Sequence, residues 1–388
     1  MTRGGTAVAV TGRGACTPAG DGVAALWSGL RRATATMRRI THFSTEAAAL
    51  GSAGFVPGPG EEPDAPERTL DLATRSVAEA SRDAGSPPTH RTALVLGTTE
   101  PGEVGLPTGD GAQPPPDRFF AGLLAARCAA RFPAFGEALT VASASASGAV
   151  GIAVGRDMVL AGDADTVFVG GADALVETAF HGLSSLRTLS PEGCRPFTRV
   201  RRGIGVSEGA GMLHLEPLDR ARRRGAYVHA LLAGAAVTNA TDHLATPRAA
   251  GIRLAVEQAL ADAGLDPDAV DLINVHGPGP GRATEWRSTR CARCSGPALP
   301  RIPIVSTKSV LWHLQGAAGA VEALACVLSL EHATLTPTRV TGEPDPAFAD
   351  LDLVPAARPA PGLRTALSIS CGLGGLNAAL VFTKGSHA

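Results

Sequence analysis

The 388-residue sequence predicts an α/β protein made of two copies of one alternating strand–helix unit. Short apolar runs rich in Val, Ile, Leu and Ala alternate with longer stretches of helical periodicity. The order of these segments in the first half returns in the second. With 44% hydrophobic and only 18% charged residues, the chain can also bury a large core. Strands alternating with helices build largely parallel sheets with right-handed crossovers and helices on the outside.

Taken in order, Thr6-Ala-Val-Ala-Val-Thr-Gly is expected as a buried strand, Gly14 to Gly20 as a turn bearing Thr17 and Pro18, and Leu26 to Leu30, Trp included, as a short helix. Residues 50–68, rich in Gly, Pro and Glu, are a surface loop. Leu70 to Ala84 has helical periodicity, and Arg91-Thr-Ala-Leu-Val-Leu-Gly is the next strand. Gly102 to Asp117, with Pro114-Pro-Pro116, is a long loop of the kind that compact domains tolerate mainly at functional or interface surfaces. Phe119 to Phe132 is expected as an amphipathic helix, followed by a strand ending near Ser145 and a helix from Ala149 to Ala161. Thr166-Val-Phe-Val-Gly-Gly-Ala-Asp is a buried strand, Leu189 to Phe197 a loop, and Gly205 to Gly211 a Gly-rich turn before a strand from Met212 to Leu215.

The second half repeats this plan. Tyr227 to Val237 matches the opening strand, Leu254 to Ala263 is a helix, and Leu272-Ile-Asn-Val matches Ala93-Leu-Val-Leu. Ile304 through Leu324 matches the Ser145 strand and helix, and Thr365 to Phe382 matches Thr166 onward. The division is therefore expected between an N-terminal half, residues 1–222, and a C-terminal half, residues 223–388.

One stretch carries most of the functional information. Val141-Ala-Ser-Ala-Ser145-Ala-Ser-Gly148-Ala-Val-Gly-Ile runs without a break from strand through a Ser/Gly turn into the helix. Such a turn exposes one side chain, here Ser145, where free N–H groups at a helix N-terminus can face a ligand's oxygen. Taken alone, the simpler reading is a buried strand entering a helix, with small residues for close packing. Three later segments change this, each setting an unusual polar group after an apolar strand: Asp271-Leu-Ile-Asn-Val-His276, Ile304-Val-Ser-Thr-Lys308-Ser-Val-Leu-Trp-His313, and Leu367-Ser-Ile-Ser-Cys371-Gly-Leu-Gly-Gly-Leu-Asn377. Four strand ends converging on one place are hard to explain by packing.

Composition limits what that place can be. A net charge of −1 argues against nucleic acid as a partner, because a phosphate backbone is held by a clustered basic surface. Arg220-Ala-Arg-Arg-Arg224 and Arg199-Val-Arg-Arg202 are local basic runs, most simply solvated turns, with docking of an acidic partner as the alternative. Only Lys308 and Lys384 are lysines among 35 basic residues, so a lysine inside Ser-Thr-Lys-Ser stands out. Seven scattered cysteines fit a reducing compartment better than a disulfide framework. No signal peptide or membrane-spanning apolar run is evident, and a cytoplasmic location is expected. Cys291-Ala-Arg-Cys294 has zinc-ligand spacing without a second pair, so no metal is expected. The Gly-rich turns lack the frame of a nucleotide-binding motif, and no cofactor is expected.

The order and spacing of the four segments resemble the elongating β-ketoacyl-acyl-carrier-protein synthases of the thiolase-like superfamily, across nearly the whole chain. Val10-Thr-Gly-Arg-Gly-Ala-Cys-Thr-Pro-Ala-Gly resembles the family's opening, and Arg195-Pro-Phe197 to Gly205-Val-Ser-Glu-Gly-Ala-Gly its Arg-Pro-Phe to Gly-Glu-Gly-Ala-Gly spacing. Glu343-Pro-Asp-Pro through Leu351-Asp-Leu-Val-Pro355 is similar to its late loop. The resemblance implies a duplicated, five-layered αβαβα fold. It also implies that His276 and His313 hydrogen-bond a thioester carbonyl and support decarboxylation, and that Lys308 acts structurally and electrostatically. The turn Gly372-Leu373-Gly374-Gly375 would supply a main-chain N–H to the oxyanion hole.

The chemistry departs from the pattern. Active relatives carry cysteine in Thr-Ala-Cys-x-Ser-Gly, and here that place reads Ser143-Ala144-Ser145-Ala146-Ser147-Gly148. A thiol is activated by a helix N-terminus and nearby positive charge, whereas a hydroxyl needs a true general base. The family's His-Gly-Thr-Gly-Thr reads His276-Gly-Pro278-Gly-Pro280, which removes two hydroxyls that would hold a pantetheine arm. The acidic partner expected for Lys308 falls on Arg287, or on Glu285 if the loop is two residues shorter. Trp312 replaces a glycine and sets a large ring beside His313. Leu373 replaces a gating phenyl ring, and Thr198 an acid.

These departures are similar to those of chain-length-factor subunits of type II polyketide synthases, which lack the cysteine and pair with an active ketosynthase. By that resemblance Phe119, Phe120, Leu123 and Leu124 would lie at the subunit interface and shape the partner's acyl tunnel; an ordinary amphipathic interface helix is the alternative. Three readings follow. The favoured one is a chain-length-factor-like subunit of a β-ketoacyl-ACP synthase complex, in polyketide or fatty-acid biosynthesis, working on a phosphopantetheine-bound acyl chain as a heterodimer with a ketosynthase paralogue or as a homodimer. The second is a Ser145-dependent acyltransferase or malonyl decarboxylase. The third is an ordinary condensing enzyme whose cysteine was replaced by serine by design.

Overall fold

The computed structural model describes residues 7–57, 67–99, 120–240, 249–277 and 302–385. Five strands of the first half are β1 (Val8–Thr17), β2 (Thr92–Gly97), β3 (Glu137–Val141), β4 (Thr166–Asp173) and β5 (Gly209–Pro217). Their counterparts are β6 (Ala230–Asn239), β7 (Leu272–Asn274), β8 (Pro303–Val305), β9 (Thr365–Cys371) and β10 (Leu376–Lys384). The helices are α1 (Val23–Arg32), α2 (Arg68–Ala84), α3 (Leu124–Ala129), α4 (Ser147–Ala161), α5 (Glu177–Ser185), α6 (Leu218–Arg223), α7 (Ala249–Ala263), α8 (Lys308–Leu311) and α9 (Ala318–His332).

The duplication holds strand by strand. In the first half the order is β3-β2-β4-β5-β1, and in the second β8-β7-β9-β10-β6. In both, three neighbouring strands are parallel, and the fourth, β5 or β10, runs antiparallel to its two neighbours. The expectation of a largely parallel sheet is met in direction for four strands of each five. The two sheets are joined where β1 and β6 pair antiparallel over Val8–Val10 and Ala230–Leu232.

Five layers result. Helices α2 and α3 cover the outer face of the first sheet, α7 covers the outer face of the second, and α4 and α9 lie between the sheets. The reason is in the sequence: α9 is buried along Ala318–Leu330 and, apart from Glu322 and Ser329, apolar on every face, and only a central layer removes every face from water. The main core joins both halves around α4 and α9, with smaller cores under α7 and α2.

Several boundaries differ from expectation. β1 continues through Gly14 and Cys16 to Thr17, because these residues pair with Met212 and Ala210 of β5, so the expected turn begins only at Pro18. For the same reason Gly209–Gly211 is strand rather than turn. The expected helix over 119–132 is a 3₁₀ turn at Ala121–Leu123 followed by the six residues of α3. Phe132 precedes Pro133, a position that disfavours helix, and it packs edge-on against Phe135 at a centroid distance of 5.7 Å. Phe119, the loop Gly102 to Asp117, Pro278, Pro280, Glu285, Arg287, Cys291 and Cys294 lie outside the described residues.

A charged clasp joins the halves. His229 places Nε2 3.2 Å from Asp83 Oδ2 and Nδ1 3.3 Å from Glu331 Oε1, while Arg13 pairs with Glu331 and lies 3.0 Å from Asp83. The Tyr227 ring lies 4.8 Å from the His229 ring. Burial opposes the imidazolium, yet the two carboxylates raise the His229 pKa above its ordinary value. A raised folded-state pKa means stability that is complete below about pH 6.5 and is lost as pH rises through the folded value. Urea melts of the wild type are therefore expected to weaken over that interval, and His229→Gln to remove that slope. At low pH the variant should lose roughly 1.5–3 kcal/mol, the usual worth of hydrogen bonds to charged groups. Identical pH slopes in the two proteins would exclude the clasp.

Candidate active site

β3 feeds the turn that precedes α4. Ala144 sits at φ 49°, a left-handed conformation that a non-glycine residue adopts only when its surroundings enforce it. The enforcement is local: Ser143 N–H donates to Ser147 Oγ at 2.8 Å, and the Ser147 hydroxyl lies 2.6 Å from Ala144 O and 3.1 Å from Thr98 O. Gly97 must be glycine here, since a Cβ on it would sit 2.3 Å from the Ser147 carbonyl carbon. Ser145, on the crest of this turn, is half-buried, and among the described residues none hydrogen-bonds its side chain.

The other strand ends converge on the same region. The β9–β10 hairpin loop brings Gly372 against this turn, where a Cβ would lie 2.6 Å from Ser143 O and 3.4 Å from Ala146 N. Gly374 and Gly375, both at φ 83°, let the loop double back, and Leu373 at its tip is exposed. Helices α4 and α9 cross at their N-termini, with Gly148 so close to Ala320 that a Cβ would meet its amide nitrogen at 2.9 Å.

His276, Lys308 and His313 stand together beyond β7 and β8. The His276 and His313 rings are 5.5 Å apart at 82°. Lys308 Nζ donates to His276 Nδ1 at 3.2 Å, and the Gln315 N–H donates to His313 Nδ1 at 2.9 Å. Burial first, and then the Lys308 charge, push both imidazole pKa values well below the usual range. Both rings are therefore neutral with Nδ1 as acceptor, so each carries its proton on Nε2. Two neutral imidazoles offering Nε2–H suit one task, which is to hold a carbonyl oxygen as negative charge develops on it.

The acidic partner of Lys308 corrects the sequence expectation. It is Glu322 of α9, rather than position 285 or 287. Lys308 is wholly buried and Glu322 is 1% exposed, and Ser370 Oγ donates to the second Glu322 oxygen at 3.1 Å. Burial raises the Glu322 pKa against the opposing pull of Lys308. The signal was present in the sequence as a lone acid in the apolar run Ala318–Leu330, since a charge in such a helix must find a buried counter-charge.

Other expected residues fall differently. Trp312 occupies the vacated glycine position at φ 60°, and its ring is seated on Gly193 and Gly205, where added Cβ atoms would lie 2.2 and 2.4 Å from ring carbons. There it joins a satellite cluster with Phe180, Leu189, Cys194 and Ile204. Phe120 and Leu123 are exposed, whereas Leu124, expected beside them on one surface, turns into the core under α2. The basic runs are largely spent inside the chain: Arg224 binds buried Glu216, Arg201 binds Asp345 at 2.6 Å, and Arg199 lies 3.1 Å from Glu343. No helix among the described residues is long and apolar enough to cross a membrane.

Residues 6–221 match the family model of the β-ketoacyl synthase N-terminal domain, and residues 229–341 that of the C-terminal domain. Nodulation protein E of Rhizobium meliloti is 38% identical over 255 residues, which cover 66% of this chain and 62% of that protein, less than two thirds of its length. A polyketide beta-ketoacyl synthase 1 of Streptomyces halstedii is 32% identical over 412 residues, covering 97% of each. The ishigamide ketosynthase/chain length factor superposes with a TM-score of 0.88 at 31% identity, over 98% of this chain and all of that one. A beta-ketoacyl synthase from Burkholderia phymatum does so with a TM-score of 0.87 at 26% identity and the same coverage.

Proposed function

The chain belongs to the β-ketoacyl synthase family, and we propose that within it this chain is a non-condensing subunit, a chain-length-factor-like partner of a cysteine-bearing ketosynthase in polyketide or fatty-acid biosynthesis. The observation that supports this most is the contrast inside one site. His276, His313, Lys308 and Glu322 stand together as a carbonyl-holding group would need, while the nucleophile position holds Ser145, to which no base is hydrogen-bonded among the described residues. The substrate would be an acyl chain on the phosphopantetheine of an acyl carrier protein.

The first sheet ends in a surface that fits a partner. Among the described residues β3 pairs only with β2, and Leu139 on it is 42% exposed; Phe120, in the turn before α3, is 63% exposed. An uncovered apolar edge strand is a liability unless another chain pairs with it. Leu139→Lys is therefore expected to abolish co-purification with the paralogue while leaving the melting temperature of the isolated chain within a few degrees of wild type. Retained co-purification would move the interface elsewhere.

The function is tested by intact-mass analysis after incubation with acyl-loaded carrier protein, with this chain alone and together with any cysteine-bearing ketosynthase paralogue encoded beside it. The proposal expects acyl mass on the paralogue only. Acyl mass on this chain that Ser145→Ala abolishes would overturn it. The two neutral imidazoles also favour one secondary activity, decarboxylation of a malonyl thioester without condensation, which the same incubation reads as loss of carbon dioxide from malonyl-loaded carrier.

A further inference from the structure

Asp173, at the C-terminal end of β4, is a wholly buried carboxylate whose two oxygens are held by the turns around it. Oδ1 accepts from Thr98 Oγ1 and lies 3.1 Å from Thr99 N; Oδ2 accepts from Thr99 Oγ1 at 2.8 Å and from Gly316 N–H at 2.6 Å. Gly316 is fitted to it closely, since a Cβ there would lie 2.7 Å from Oδ2. Burial pushes the Asp173 pKa up to about 6, so keeping the charge has a cost that packing alone does not require.

The use of that charge lies one residue upstream of Gly316. Gln315 stands at φ 52°, left-handed and unfavourable for its side chain. It is gripped from both sides by the end of β4. Asp173 fixes the following N–H, and Ala174 O accepts from Gln315 Nε2 at 3.0 Å. Held this way, the Gln315 N–H points at His313 Nδ1. Release of the grip would let Gln315 relax toward negative φ and swing that donor away.

We propose that Asp173 is a positioning residue that locks His313 in its Nε2-protonated tautomer through Gly316 and Gln315. The same carboxylate also binds Thr98, whose carbonyl oxygen lies against Ser147 Oγ, which in turn receives the Ser143 N–H. One buried anion thus ties the turn bearing Ser145 to the turn bearing His313 and sets their spacing.

The tautomer is read directly by long-range proton–nitrogen NMR of protein labelled with ¹⁵N-histidine, assigned with His313→Gln and followed from acid to neutral pH. The wild type is expected to show a single Nε2–H form at His313. Asp173→Asn is expected to give a mixture of tautomers at His313. His276, whose Nδ1 is set by Lys308, should stay unchanged and so separates this effect from general loosening. Thr99→Val, which removes one donor and leaves the carboxylate, should move His313 the same way by less, and it decides the matter if Asp173→Asn does not fold. An unchanged His313 tautomer in a folded variant overturns the proposal. The catalytic consequence rests on reading His313 as a carbonyl donor; because the NMR test needs no substrate, the tautomer lock and that reading fail separately.

Discussion

Ser145→Cys is expected to turn this chain into an acceptor of acyl groups from a carrier-protein thioester, with loading faster than wild type by at least about two orders of magnitude. The turn already has what a thiolate needs: an enforced left-handed Ala144 that presents residue 145, a helix start immediately behind it, and the Gly372 loop packed against it. A hydroxyl in the same place keeps its proton, and without a general base it forgoes roughly 10²–10⁴-fold in rate. Cysteine supplies its own ionisation in such a setting. Intact-mass time courses with a short acyl-loaded carrier protein measure the difference. If the cysteine variant folds and stays unloaded, the obstruction lies in the entrance or the carrier-binding surface, and serine is not what silences this chain.

Glu322→Gln and Lys308→Met are each expected to cost about 3–5 kcal/mol of stability, because each leaves its partner as an uncompensated buried charge. The pair is almost solvent-free, so neither survivor can be rescued by water. Replacing both, as Lys308→Met with Glu322→Leu, should recover most of that loss, since a packed apolar pair of similar volume is often no worse than a buried ion pair. Urea titrations of the three variants measure this. Single variants within about 1 kcal/mol of wild type would place the pair among solvated ion pairs instead. Lys308→Met carries a second signature: it removes the donor on His276 Nδ1 and the main charge lowering that ring's pKa, so His276 should titrate nearer the ordinary histidine range.

Much of the architecture was legible before the structure. The repeat was readable because the five strands of the first half, with helices α2 and α4, return in the same order in the second, and periodicity reports directly which face is buried. The site's position was readable because polar residues at the ends of apolar strands have few structural uses. Where the reading failed, long-range contacts had overridden local pattern. β1 runs on through Gly12 and Gly14 because β5 lies beside it and a close helix leaves no room for side chains; Gly14 would place a Cβ 1.9 Å from Ser76 O. Leu124 has the same local pattern as Leu123, yet only α2 decides that one is core and the other surface. Trp312 reads as an obstruction beside His313, and two glycines more than a hundred residues earlier receive it.

The sequence by itself determined the order of the doubled strand–helix unit, the presence of a hydroxyl rather than a thiol at position 145, and the set of His276, Lys308 and His313. These follow from residue identity and spacing along the chain. Only the tertiary structure decided that Lys308 answers to Glu322, that both imidazoles carry their proton on Nε2, and that Asp173 underlies the His313 turn. Those facts depend on which groups share a dry space. The energies that select them, desolvation of a charge and the direction of a single N–H, are set by neighbours in three dimensions and leave no period in the chain.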